Sequence, residues 1–394
     1  MIPWKKTFYA VLGAEFLAIA GFGTSTPIIP LFLQDLGVWD KSSLNIWVGV
    51  VNFASSFSLA FMAPIWGKLA DSYGRKSMLL RAMAGGGLIV FLIGFTRSPW
   101  QFLTLRVFQG AVAGTISAAN VLVAGAVPEE EVGFRLGLLQ TGIALGNSLG
   151  PLAGGYLAEA FGNRFAFFIT SLLLVAAALI VHFWVKDPFI SKRREKFGMR
   201  SLIPDFRPLA ESRTILTLVI LAGLIQMGIS FVLPVLPLYV QQITNGYKVA
   251  STTGLIIGVS ALASAVASAL ASRIASRIGY VRLLFFSFFL AAVFHVPQAF
   301  AWSGGFLLVF RTLMAVMLGM AIPLINILLA QNTEKSRQGS IYGLASAMYA
   351  MGLAAGPMIS AVVAIGAGYK AVFLCAALIM AGSAWLTRRS LRNL

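Results

Sequence analysis

Long apolar runs alternate with short polar breaks along the whole chain. The runs fall at roughly 7–34, 44–66, 77–96, 99–126, 133–160, 164–186, 213–242, 251–275, 282–302, 304–331, 338–366 and 369–387, twelve in all. About 20 apolar residues let a helix cross a bilayer, so the pattern predicts an all-α polytopic membrane protein with twelve transmembrane helices. An even count places both termini on one side. The breaks on that side hold twenty-three Lys and Arg residues and the opposite breaks only five, Lys41, Arg97, Arg164, Lys248 and Lys370. Because cations favour the cytoplasmic face, both termini are expected in the cytoplasm, with bacterial inner membrane as the setting.

Composition agrees. Of 394 residues, 58% are hydrophobic and 11% charged, too apolar for a soluble domain. The net charge of +17 would suit nucleic acid, but the cations sit between apolar runs rather than along one face, so no nucleic-acid partner is implied. All eight tryptophans fall near predicted helix ends, where the indole prefers the interface. Lys5 and Lys6 precede the first run as in a signal peptide, yet that run reaches Leu33 with no small-residue cleavage site, so it reads as an uncleaved first helix. The single Cys375 lies in an apolar run and offers neither a disulfide nor a metal cluster.

The stretch from Lys186 to Arg213 is charged, carries Pro188, Pro204 and Pro208, and falls near the middle of the chain. It predicts an N-terminal six-helix bundle over 1–187, a cytoplasmic linker over 188–212 that could hold anionic lipid headgroups, and a C-terminal six-helix bundle over 213–394. The halves repeat: Pro27 and Pro30 recur as Pro234 and Pro237, Arg106 as Arg311, Gly114 as Gly319, Asn120 as Asn326, and Gly150-Pro151 as Gly356-Pro357. Matches at offsets of 205 to 207 argue for duplication into two pseudo-symmetric bundles, the plan of transporters with a midplane site.

Three stretches carry a family resemblance. GKLADSYGRK, from Gly67 to Lys76, reads as a short cytoplasmic loop in which Gly67 and Gly74 allow a reversal and Asp71 can cap a helix or accept from Arg75. Leu103, Arg106, Gln109 and Gly110 form a second pattern. Gly142, Gly146, Gly150, Pro151, Gly154 and Gly155 form a third, a small-residue face that admits another helix to backbone contact. Together these resemble the major facilitator superfamily, and within it the twelve-helix drug/proton antiporters. The resemblance implies the superfamily fold, a monomer, no cofactor and the proton gradient as energy source. It also implies proton transfer tied to Arg106, a conformational motif in Gly67, Asp71, Gly74, Arg75 and Lys76, and export rather than uptake from the glycine face. The loop's second copy, Ser272 to Arg282, has Ser276 where Asp71 stands.

Charge inside a bilayer costs about 2.5–3.5 kcal/mol at a helix centre on insertion scales, which singles out the few ionisable residues within runs. Of thirteen acids only Glu15 lies well inside one. It is the candidate proton carrier, against the plainer reading of a cavity-mouth acid that stays ionised. A glutamate twelve residues before the proline of the first helix also looks like one in some multidrug/proton antiporters; where those often carry a second acid, this chain has Gly23. Arg106 is a lone cation that stays protonated and can bind an anion or tune an acid, and Arg311 is its repeat mate. Asn120, Gln140, Asn147 and Asn326 are candidate polar lining of a substrate cavity; Phe53, Met227, Phe231 and Tyr349 would suit an adaptable apolar pocket. His182 and His295 are read as interfacial or packing residues, and Glu129, Glu130 and Glu131 as solvated acids at a helix start. No phosphate-binding G-x-x-x-x-G-K-[ST], His- or Cys-rich set or Ser/His/Asp constellation is present. The expectation is a proton-coupled exporter of lipophilic compounds, cationic ones among them, working by rocking-switch alternating access. The alternatives are an exporter of one lipid, sugar or metabolite, and a non-transporting membrane receptor.

Overall fold

The computed structural model of the chain describes residues 3–187, 212–334 and 337–391, so the predicted linker lies outside the described residues except for Ser212. The side chains of Pro3, Pro64, Gly67, Lys68, Asp71, Ser72 and residues 338–340 also lie outside them. Every regular element among the described residues is helical. In chain order these are α1 Pro3–Ser25, a 3-10 turn Thr26–Ile28, α2 Ile29–Asp35, α3 Lys41–Tyr73, α4 Arg75–Ile93, α5 Pro99–Val112, α6 Thr115–Ala126, α7 Glu129–Phe161, α8 Asn163–Trp184, α9 Arg213–Val232, α10 Leu236–Ile243, α11 Val249–Ile278, α12 Tyr280–Gln298, α13 Gly304–Gln331 and α14 Gln338–Ser390. α14 is broken at Gly368, whose φ is +78°. Taking α1–α2, α5–α6 and α9–α10 as one crossing each and α14 as two recovers the twelve apolar runs.

The repeated prolines explain two of the breaks. Proline lacks the N–H for an i to i−4 bond and its ring crowds the preceding turn. Pro27 and Pro30 fall where α1 passes through the 3-10 turn into α2, and Pro234 and Pro237 fall where α9 passes into α10.

The Gly67–Lys76 loop is corrected. α3 runs helically through Gly67 and Asp71 to Tyr73, and α4 begins at Arg75. The reversal is made by Gly74 alone, with φ +88°, a conformation that costs glycine nothing. Gly74 is also the N-cap of α4 and supplies no side-chain cap; the backbone N–H of Lys76 instead donates to Asp187 Oδ2 at 2.9 Å, and Lys76 Nζ donates to the carbonyl of His182 at 2.8 Å. The expected role of Asp71 as a cap or an acceptor for Arg75 rests on a side chain outside the described residues.

The helices gather into two compact units. The first comprises α1, α2, α4 to α8, α3 from Ala54 onward, and Lys248–Gly258; the second comprises Trp39–Phe53, α9, α10, α11 from Val259 onward, and α12 to α14. In the first, α1 packs on α7 and α8 through small and hydroxyl residues. A Cβ built at Gly146, Gly150 or Gly154 would overlap the backbone of α1 at Phe16 to Thr24, and one at Gly142 would meet Leu12. Thr170 Oγ1 donates to the carbonyl of Gly21 at 2.8 Å, and Ser171 Oγ to that of Gly87 at 2.8 Å. Such backbone approach and inter-helix bonding hold helices together where lipid removes the hydrophobic drive between them. In the second unit α9 lies against α14, with Ser230 Oγ donating to the carbonyl of Gly352 at 2.9 Å, over a core that includes Leu218, Phe288, Leu324 and Met380.

Candidate functional site

The site of greatest chemical interest forms where the fourth crossing breaks. α5 ends at Val112 and α6 starts at Thr115, with Gly114 between them at φ +120° and ψ 31°. That left-handed geometry disfavours any residue with a Cβ, and no side chain caps the N-terminus of α6. Glu15, from the middle of α1, meets α6 at its first residue: Thr115 Oγ1 donates to Glu15 Oε1 at 2.9 Å. Glu15 is fully buried, and its Oε2 has no partner. An acid with one oxygen anchored and the other free in a buried site has what a reversible proton carrier needs, because an unpaired buried carboxylate is costly and a neutral carboxyl far less so.

Two further residues belong to the same break. Trp66, read as an interfacial tryptophan, donates Nε1–H to the carbonyl of Ala111 at 2.6 Å. Arg81 stands inside α4. Its guanidinium lies 3.5 Å from the centre of the Trp66 ring, with Nη2 donating to the carbonyl of Ala113 at 3.4 Å, while its Nε and Nη1 are buried without partners. Cation–π stacking on tryptophan is worth about 0.5–2 kcal/mol, so the stack holds a cation where hydrocarbon would exclude it. Sequence reasoning missed Thr115, Trp66 and Arg81. Arg81 carried the one usable signal, an arginine followed directly by an apolar run.

The remaining candidates scatter. Arg106 bonds through Nη1 to Gln109 Oε1 on its own helix at 2.7 Å and has a buried, unpartnered Nε; no hydrogen bond joins it to Glu15. Gln140 Nε2 donates to Asn120 Oδ1 at 3.0 Å. Asn120 also lines a cleft of about 380 Å³ with Val121, Ala124, Gly125, Leu136 and Arg75, whose Nη1 donates to the carbonyl of Val121 at 2.9 Å. Asn147 is exposed on α7, and Asn326 is exposed with its carbonyl accepting from Tyr342 at 3.0 Å. Phe231 is buried in the second unit, Phe53 and Met227 are half-buried, and Tyr349 is exposed. Arg311 and His295 are both buried in the second unit.

Gly23 has a steric cause. A Cβ there would come 2.8 Å from Pro151 Cδ and 3.0 Å from Gly150 Cα, so the α1–α7 seam leaves no room for a second acid. Glu131, in the first turn of α7, pairs with Arg135 at 2.6 Å. Arg135 is a helical residue with Trp4, Phe8, Tyr9 and Phe134 around its guanidinium. Among the described residues no group of three or more His, Cys, Asp or Glu could hold a metal.

A multi-pass helical membrane protein with buried ionisable groups is thus defined. The sequence matches the Major Facilitator Superfamily over residues 11–251 and again over 218–393, and the chain belongs to that family. It is therefore a transporter protein and not an enzyme, and calls for no cofactor. It is 32% identical over 381 residues, 96% of this chain and 91% of the relative, to multidrug resistance protein MdtG of Yersinia enterocolitica. The protein of the same name from Escherichia coli is 32% identical over 395 residues, 100% of this chain and 96% of the relative. Among solved structures, a bacterial homologue of the human lysosomal transporter Spinster, inward-facing and occupied, aligns with TM-score 0.81 at 12% identity over 100% of this chain and 98% of that one. The nucleoside transporter NupG aligns with TM-score 0.77 at 14% identity over 98% and 99%. At these identities the two structures speak for the fold alone.

Proposed function

We propose that the chain is a multidrug exporter driven by the proton gradient. Glu15 is its proton carrier, and its substrates are lipophilic compounds, cationic ones among them. The observation that carries the reading is the buried Glu15 carboxyl, held by Thr115 at the broken crossing with Oε2 unpartnered. Support for export comes from the full-length likeness to proteins named for multidrug resistance and from the glycine face of α7 that seats α1.

In this reading both termini are cytoplasmic, following the cation tally. A proton entering from outside neutralises Glu15, and substrate and proton exchange as the transporter alternates between two states that each ligand binds unequally. Arg106, bonded to Gln109, tunes the path, and Asp71 and Arg75 act as a latch between states.

The test is efflux of a lipophilic cationic dye from proteoliposomes under an imposed pH gradient, for the parent and for Glu15→Gln. The gradient should drive efflux in the parent, and the substitution should lower the driven rate by about a hundredfold or more, the range of a lost proton-transfer group. Equal dye movement by the parent with and without a gradient would remove proton coupling from the account.

A further inference from the structure

Among the described residues of the second unit, a buried cation has nothing to answer it. Arg311, two turns into α13, is 6% exposed, and its Nη1 has no hydrogen-bond partner. It forms no ion pair among the described residues. From Arg213 to the C-terminus the sequence holds twelve cations and a single acid, Glu334. Glu334 follows the far end of α13, about 30 Å from Arg311 at a rise of about 1.5 Å per residue.

Other polar groups in the same place are equally bare. His295, in the last turn of α12, is 0% exposed with neither ring nitrogen partnered, and it lies within Coulomb reach of Arg311. Gln298, one turn on and also 0% exposed, ties α12 to α13 through Nε2, which donates to the carbonyls of Phe294 at 2.9 Å and Phe310 at 3.4 Å. Its Oε1 has no partner, nor has the hydroxyl of Thr312. Tyr239 already occupies the carbonyls of Gln298 and Ala299 with its hydroxyl, both at 3.0 Å. A buried guanidinium is retained when something pairs with it, and no such partner stands among the described residues.

We propose that Arg311, His295 and Gln298 form a binding site for the anionic headgroup of an amphiphilic substrate. Arg311 supplies the charge and His295 a ring N–H, two donors that suit a carboxylate, sulfonate or phosphonate. Depth favours an amphiphile over a free ion. Arg311 lies about 10 Å along α13 from its start at Gly304, beside the exposed Trp302, within reach of a head anchored near the interface while its apolar body stays in hydrocarbon. The site deepens the export reading and rests on it.

A matched pair of dyes tests the charge. 8-Anilinonaphthalene-1-sulfonate carries a sulfonate, and N-phenyl-1-naphthylamine has the same apolar body without it. Binding of each to the full-length protein in nanodiscs is read by tryptophan-to-dye energy transfer, for the parent, Arg311→Gln, Arg311→Lys and His295→Asn. Charge-assisted hydrogen bonds are worth about 1.5–3 kcal/mol, so Arg311→Gln should weaken the sulfonate dye by about 10- to 100-fold. Arg311→Lys should recover part of that loss, His295→Asn should weaken the sulfonate dye several-fold, and the neutral dye should change by less than about twofold. Equal losses for both dyes, or none for the sulfonate dye, would overturn the site. So would a rise in the parent's melting temperature with chloride over gluconate that depends on Arg311 while the sulfonate dye binds unchanged, which would mark an inorganic-anion site. If Arg311→Gln does not fold, Arg311→Lys and His295→Asn decide by the same dye comparison. Binding needs no turnover, so a protein that holds the sulfonate dye through Arg311 but exports neither dye would defeat the export reading and leave this site standing.

Discussion

The fourth and tenth crossings descend from one repeated element and end in opposite conditions. In the first unit Gly114 breaks the helix at φ +120°, and the break collects Glu15, Thr115, Trp66 and Arg81. In the second, α13 runs unbroken from Gly304 to Gln331 through Gly319, and its arginine is left unpaired. The two glycines are there for different reasons. Gly114 needs its conformation and has open space around it, with the nearest neighbour 3.7 Å from a built Cβ; Gly319 is helical and has no space, since its Cβ would overlap the backbone and side chain of Ser264. Duplication conserved the residue while its physical role diverged. A backbone break suits a proton-bearing acid, and a continuous helix with a bare cation suits an anion.

Replacing each glycine by alanine is the strongest way to break this comparison. Gly319→Ala drives a Cβ into Ser264 and should destabilise the fold by about 1–3 kcal/mol, the cost of overpacking, with efflux per folded molecule unchanged. Gly114→Ala places a Cβ in a left-handed conformation at about 1–2 kcal/mol, and it should lower efflux as well, because the break that seats Thr115 is strained. Thermal melting and proteoliposome flux separate the two. If Gly114→Ala melted and transported like the parent, the break would not depend on Gly114.

Thr115→Val sharpens the same point at smaller cost. The shape is kept while the hydroxyl that fixes Glu15 Oε1 is removed, leaving both carboxyl oxygens unpartnered. A single hydrogen bond contributes about 0.5–1.5 kcal/mol, so gradient-driven efflux should fall about 2- to 10-fold while dye binding without a gradient is retained. Unchanged efflux would mean that Thr115 does not position the acid.

Much of this architecture was readable from the sequence. The twelve apolar runs became helices, and among the described residues length and hydropathy make all of them but α7 long and apolar enough to cross a bilayer. The paired prolines marked two of the breaks, and Glu15 stood out because only one acid lies deep in a run. What stayed hidden depends on partners far apart in sequence. Nothing local to Thr115 announces that it will meet Glu15, one hundred residues away. Arg81 and Trp66 each fall within an apolar run, and nothing local to either announces the stack that joins them. α3 continues to Tyr73, Gly74 alone turns the chain, and the guanidinium of Arg81 on α4 meets the ring of Trp66 on α3. The repeat misled, since Gly114 and Gly319 match in sequence and differ in backbone.

The gentlest test concerns how Arg81 is held at the break. Trp66 does two things there: Nε1–H bonds the carbonyl of Ala111 at 2.6 Å, and the ring face carries the Arg81 guanidinium at 3.5 Å. Trp66→Phe removes the donor and keeps a smaller, less electron-rich face, so a weakened stack and one unpaired carbonyl remain. The combined loss should be about 1 kcal/mol of stability, seen as a melting shift of a few degrees or less. Trp66→Leu, which removes the face as well, should cost more and also slow driven efflux, because Arg81 then has only the 3.4 Å bond to Ala113 to keep it beside α6. If Phe and Leu at this position melted and transported alike, the stack would be incidental, and the break would be defined by Gly114 and the Glu15–Thr115 bond without help from α3 or α4.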